Sequence, residues 1–247
     1  MRGAVPVTIA ASDDSGVAWV ELWVDGVWFG SDVAAPWSVS WNTSAGADGA
    51  HSLVAKAFDL AGKEGASVPV AVTVVNSSAA YDSTRRAPRC NSAFVGVCDS
   101  STLLNGRGPI GPEPNQPNTL GGSCADGTSG KYHSNESLDR LRISRSGGGS
   151  FSPGATVTVE ATVWVNNRSS DRLDLYYAAN AASPVWQLIA TLTPPGTGQR
   201  TLSASYVLPA GSEQSIRGRF RRNGSPAPCG TGTYDDHDDL VFSVTSP

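Results

Sequence analysis

Asp235-Asp236-His237-Asp238-Asp239 puts four carboxylates and one imidazole in five consecutive positions. Like charges this close repel, and Asp is a poor strand former. A hard cation that gathers the oxygens removes that repulsion, and calcium takes about six to eight of them. The apolar run Leu240 to Val244 follows directly, so the acids sit on a turn that leads into a strand. The expectation is a structural Ca2+ site with Asp126, Glu136, Asp139, Asp235, Asp236, Asp238 and Asp239 as candidate ligands. The competing reading is a solvated acidic turn paired with Arg140 and Arg142, each exposed pair contributing only ~0–1 kcal/mol. There is no EF-hand spacing, so local acid density alone carries the assignment.

Catalysis is read out of the chain. His237 or His133 could act with Asp238 or Glu136, and paired carboxylates serve glycosidases. Yet no G-x-S-x-G and no H-E-x-x-H occurs. A histidine between aspartates has its basicity raised, which suits an ion pair better than a neutral base. A binding face is the better expectation. Trp164, Tyr176, Arg217 and Arg219 alternate outward on their strands, where aromatic rings stack on sugars and guanidinium groups fork onto carboxylates.

The positioning elements are strands. Gly and Pro number 27 and 16, and charged residues make up only 16% of 247 positions, which suits an all-β protein with many turns. In the first part, Val5, Val7 and Ile9 alternate, Val17 to Val24 is a longer strand, and Asp25-Gly26 is a hairpin signal. Trp37 and Trp41 share one strand face and suit the core. Trp19 and Trp23 face away from Val20, Leu22 and Val24, which makes them, with Trp28, an interface or a sugar platform. A polar stretch, Asn76 to Ala80, reads as a linker, which divides the chain into residues 1–78 and 79–247. In the second part Val157, Val159, Ala161, Val163 and Val165 alternate inward, Arg217, Arg219 and Arg221 alternate with Ile216, Gly218 and Phe220, and Leu240, Phe242 and Val244 end the series. Asp139 is placed on the side of Leu141 and Ile143. About eight such strands make a jelly-roll β-sandwich.

All four cysteines, Cys90, Cys98, Cys124 and Cys229, lie in the second part. An even number on Gly/Pro-rich loops reads as two disulfides in an oxidising compartment, and no C-x₂-C pair supports zinc. Of three connectivities we choose Cys90–Cys98 with Cys124–Cys229. The net charge of −4 carries no nucleic-acid footprint. No apolar run approaches the ~20 residues that span a bilayer. Met1-Arg2-Gly3 leads straight into a strand pattern without a signal peptide, so the start reads as truncated or engineered.

Two resemblances add to this. Ser12-Asp13-Asp14-Ser15-Gly16-Val17, Ala35-Pro36-Trp37-Ser38-Val39-Ser40-Trp41 and Ala57-Phe58-Asp59-Leu60-Ala61-Gly62-Lys63 resemble the bacterial Ig-like domains of secreted and surface proteins. That likeness implies an immunoglobulin-like sandwich serving as a spacer or adhesion module. Gly111-Pro112-Glu113-Pro114-Asn115-Gln116-Pro117-Asn118-Thr119, Ser123-Cys124-Ala125-Asp126-Gly127 and Asp235-Asp236-His237-Asp238-Asp239-Leu240 resemble the C-terminal accessory domains of secreted peptidases and other hydrolases from myxobacteria and their relatives. This second likeness implies a non-catalytic domain for substrate attachment or stabilisation. The expectation is therefore a secreted or cell-surface bacterial protein that is monomeric and attaches to extracellular polysaccharide or another polymeric substrate. A covalently linked catalytic domain would stand elsewhere in the full-length protein. A structural or adhesive module making protein contacts is the alternative, and a free-standing hydrolase is the third reading.

Overall fold

The protein is described by a computed structural model, in which residues 1–43, 46 and 48–245 are placed. The chain divides into two compact units, Met1–Asn76 and Ser77–Pro247.

In the first unit seven strands are described: β1 (Ala4–Thr8), β2 (Val17–Val24), β3 (Val27–Asp32), β4 (Ser38–Asn42), β5 (Gly49–Asp59), β6 (Glu64–Ala66) and β7 (Val70–Val74). One sheet runs β3-β2-β5-β6, with β7 also on β5, and β1 pairs with β4 in a second. Asp25 (φ 50°) and Gly26 (φ 79°) both occupy the left-handed region, as a tight two-residue hairpin requires. Ile9, Val20, Leu22, Val39, Trp41, Leu53 and Val74 form the core. The outward tryptophans are largely spoken for. Trp19 stacks on Phe58 at 4.6 Å. The Trp23 indole N–H donates to Glu21 at 2.8 Å, and the Lys56 ammonium sits over its ring. Trp28 stays exposed. His51 bonds Asp25 at 2.6 Å, a structural contact.

The second unit holds β8 (Ala80–Asp82), β9 (Ala87–Cys90), β10 (Val97–Asp99), β11 (Ser137–Arg145), β12 (Thr156–Val165), β13 (Asp171–Ala178), β14 (Gln187–Leu192), β15 (Gly198–Val207), β16 (Glu213–Arg222) and β17 (Asp236–Ser243). Two sheets, β10-β11-β12-β15 and β14-β13-β16-β17-β9-β8, enclose one apolar core. The inward valines of β12 are fully buried, as their alternation dictates. The expected two-sheet sandwich is present, with a different winding. The hairpins β11/β12 and β16/β17 each stay within one sheet, and β12 pairs with β15 while β13 pairs with β16. That order is an immunoglobulin-type Greek key with its fourth strand moved beside the third, rather than a jelly roll. A bulge in β11 sets Leu138 opposite Val163 and Arg140 opposite Thr162, leaving Asp139 as the extra residue. The bulge therefore separates Asp139 from Leu138 and Leu141, which both point into the core.

Cys90–Cys98 and Cys124–Cys229 are the two disulfides, the pairing chosen from the sequence.

Candidate functional site

Strand β17 runs through the middle of its sheet, so alternation sorts its acids onto two faces. Asp236 and Asp238 share the side of Leu240 and Phe242, which are core residues. Asp239 lies on the opposite side with His237 and Val241.

On that outer side the arginines of β16 meet the carboxylates. Arg217 grips Asp239 through Nε and Nη2 at 2.6 and 2.7 Å. Arg219 holds Asp235 at 3.0 and 2.6 Å, and Arg221 holds Asp174 at 2.5 and 3.2 Å. Their remaining N–H groups donate to the carbonyls of Pro228, of Ser225 and Ala227, and of Asn223 and Gly224. Trp186 covers the Arg217 guanidinium at 4.3 Å. The row thus fastens the 223–228 loop onto the sheet. Arg217 and Arg219 are 1% and 6% exposed, and Tyr176 is 4% exposed. These three residues of the expected binding face are therefore enclosed. Alternation reported their side of the sheet correctly, but loops cover that side. Burial also pushes the Tyr176 phenol up to about 12. Of the expected face, Trp164 remains half-open to solvent. It stacks at 4.4 Å on His133, which stacks at 3.8 Å on Tyr132.

The seven candidate metal ligands separate accordingly. Asp235 and Asp239 are committed to arginines. Asp139 accepts from Ser137 and contacts His133 Nε2 at 2.9 Å. Glu136 is buried beside Asp171; burial first, then that neighbour, raises its carboxyl. Asp126, Asp236 and Asp238 do converge. The residue that completes their group is Glu113, which sequence reasoning quoted only as part of a motif. One oxygen each of Glu113, Asp236 and Asp238 lies within 4.8 Å of the others. Glu113 was hidden because its proline-rich loop has no periodicity. The available signal was a lone acid in a run of prolines.

Local bonds hold these groups in place. Gly108 N–H donates to Glu113 at 2.6 Å, and the Asn118 amide donates to its other oxygen. Asp239 N–H donates to the Asn118 carbonyl, and Leu120 N–H to Asp239. His237 N–H donates to Asp126 at 2.9 Å, and Leu138 N–H to Asp236 at 2.6 Å. Close approach also demands glycine. A side chain on Gly108 (φ 44°) would meet Asp126 Cβ at 3.1 Å, and one on Gly127 would meet the Thr233 carbonyl at 2.3 Å.

Electrostatically the pocket is strained toward neutrality. Burial, reinforced by the neighbouring carboxylates, holds Asp236 and Asp238 well above the ordinary range. Burial and the Glu113 charge push Asp126 up to about 8, and burial raises Glu113. The nearby Arg107 guanidinium donates to the Ser129 and Thr233 carbonyls. His237 is completely buried and its Nε2 accepts from Gly230 N–H at 3.0 Å, while burial pulls its pKa to about 4. It is a neutral structural ring, closed to any substrate.

Residues 1–55 match the bacterial Ig domain family. Among solved structures, the fibronectin(III)-like modules of Clostridium thermocellum CbhA are 29% identical, covering 30% of this chain and 76% of that one, with a TM-score of 0.23. No curated protein matches. The chain thus opens with an Ig-like module, a non-catalytic type of domain. Two disulfides fit an extracellular protein. Among the described residues no helix is long and apolar enough to cross a membrane.

Proposed function

We propose that this chain is a non-catalytic accessory region of a secreted bacterial protein, in which residues 77–247 attach a larger polypeptide to an extracellular polysaccharide, in the manner of the accessory domains of secreted peptidases and hydrolases. The outer face of the β10-β11-β12-β15 sheet carries this reading. Trp164 stands at its end, braced by the rings of His133 and Tyr132. Beside it Thr162 bonds Thr201 at 3.3 Å, and farther along the same face, beyond the Arg142–Glu160 pair, Thr158 bonds Ser205 at 3.0 Å. A braced indole next to ordered hydroxyls offers a sugar ring a stacking surface and hydrogen bonds with little ordering to be lost on binding. A structural calcium ion belongs to the same reading and does not depend on which polymer is bound.

Pull-down of the full chain on a panel of insoluble polysaccharides tests the attachment. Retention on at least one polymer, weakened by Trp164→Ala, is expected; passage through every polymer with Trp164 intact would overturn it. A second reading, a surface module that binds protein, is favoured by the exposed Val27, Trp28 and Phe29 of β3, an edge strand of the first unit.

A further inference from the structure

We infer that Glu113, Asp126, Asp236 and Asp238, with the side-chain carbonyl of Asn118, bind one divalent cation of the calcium type inside the second unit. This deepens the calcium part of the function proposed above and is independent of polymer attachment.

The first ground is geometry. The oxygens of Glu113, Asp236 and Asp238 lie within 4.8 Å of one another. Two ligands on opposite sides of a calcium ion stand about twice its ~2.3–2.6 Å bond length apart, so one ion can touch all three. Magnesium, with bonds of ~2.0–2.1 Å, needs a tighter octahedron.

The second ground is independent of acid density. Both oxygens of Asp238, Asp236 Oδ1, Asp126 Oδ2 and Asn118 Oδ1 are buried without a hydrogen-bond partner. Asp236, Asp238 and Asn118 are each 0% exposed. Buried polar atoms are almost always satisfied, and an orphaned buried oxygen is destabilising, the more so when charged. Three of these atoms, both oxygens of Asp238 and Asp236 Oδ1, belong to the carboxylates that lie together with Glu113, which is what a fold leaves when a cation is their partner. The chain had arginines to spend and aimed them elsewhere: Arg217, Arg219 and Arg221 pair with Asp239, Asp235 and Asp174. Arg107, the cation beside the pocket, bonds carbonyls. Four carboxylates and one guanidinium leave a formal deficit that a dication nearly closes. Bidentate carboxylates with the Asn118 carbonyl reach the oxygen number that calcium takes.

The ligands come from three places: the proline-rich loop (Glu113, Asn118), the segment after Cys124 (Asp126) and β17. A bound ion therefore fastens a long irregular loop to the middle of a sheet.

The test is calorimetric titration of the full chain, stripped with EDTA, using CaCl2 and then MgCl2, alongside thermal unfolding. One calcium per chain, weaker binding of magnesium and a calcium-dependent rise in the unfolding temperature of the second unit are expected. Asp238→Asn keeps the shape and removes a charge. It should weaken calcium binding about tenfold or more, yet the cation-free variant should melt above the cation-free parent, because one repulsive charge is gone. Glu113→Gln, outside the strand, should show the same pair of effects, and Asp139→Asn should leave calcium affinity unchanged. No heat of binding with calcium, no EDTA effect on the second unit, or an Asp238→Asn variant that binds like the parent would overturn the site. A positive titration with a failed polysaccharide pull-down would leave the site standing and remove only the attachment.

Discussion

Replacing Arg217 by Met distinguishes an internal fastening from a ligand-binding arginine. Arg217 is 1% exposed and its partner Asp239 is 0% exposed. The variant retains an apolar stem of similar length under Trp186 and leaves Asp239 facing only the Leu120 N–H at 2.7 Å. Breaking a buried pair by removing one member costs about 3–5 kcal/mol, because the other charge stays uncompensated. For a unit of some 150–250 residues each kcal/mol moves the melting temperature by about 2–4 °C, so a fall of about 6–20 °C is expected. Removing both members as Arg217→Met/Asp239→Leu should be less damaging than the single change. Recovery should be partial, since Leu120 N–H and the Pro228 carbonyl then lack partners at about 1–3 kcal/mol each. Differential scanning calorimetry of the full chain, following the transition of the second unit, reads all three variants. A melting temperature within about 2 °C of the parent for Arg217→Met would refute the reasoning and return Arg217 to the list of ligand contacts.

Two further outcomes follow from the fold. Gly218→Ala should destabilise by about 1–3 kcal/mol in urea unfolding, because its Cβ would stand 2.3 Å from Leu138 Cδ1 in a packed core. Cys124→Ala/Cys229→Ala should cost about 2–5 kcal/mol, and more than loss of Cys90–Cys98, since the bridges span 105 and 8 positions and a longer closed loop restricts the unfolded chain more; paired urea titrations under oxidising conditions measure the difference.

What could be read from sequence follows from what is local. The Val157-to-Val165 alternation needs only its own neighbours to show a half-buried strand, and the structure buries those valines completely. Strand order is not local: whether β13 pairs with β12 or with β16 leaves no mark on the alternation of either, so an immunoglobulin-type key and a jelly roll look alike. Asp139 was assigned a face by counting in twos, and a single bulge defeats such counting. Arg217 and Arg219 were placed on the right face, but the cover over it comes from residues 223–228, which leave the end of β16 and fold back over its own side chains, a return that alternation does not record. Glu113 escaped notice for the opposite reason. Irregular backbone has no period, so a side chain aimed inward from it resembles one aimed at water.

The parallel pairing of β9 with β17 has a consequence for how the second unit comes into being. Arg89 sits beside Val241, and Cys90 beside Phe242. Residues among the first of the unit therefore find their neighbours in its last described strand. Contacts that remote cannot form while the ribosome is still making the intervening segments, and large loop closures slow folding. The unit must remain open until residues 236–243 have emerged, a property that suits a polypeptide threaded through a narrow channel before it folds. Truncation ahead of Asp236 should accordingly leave not a smaller sandwich but a sheet with a missing centre and two stranded halves.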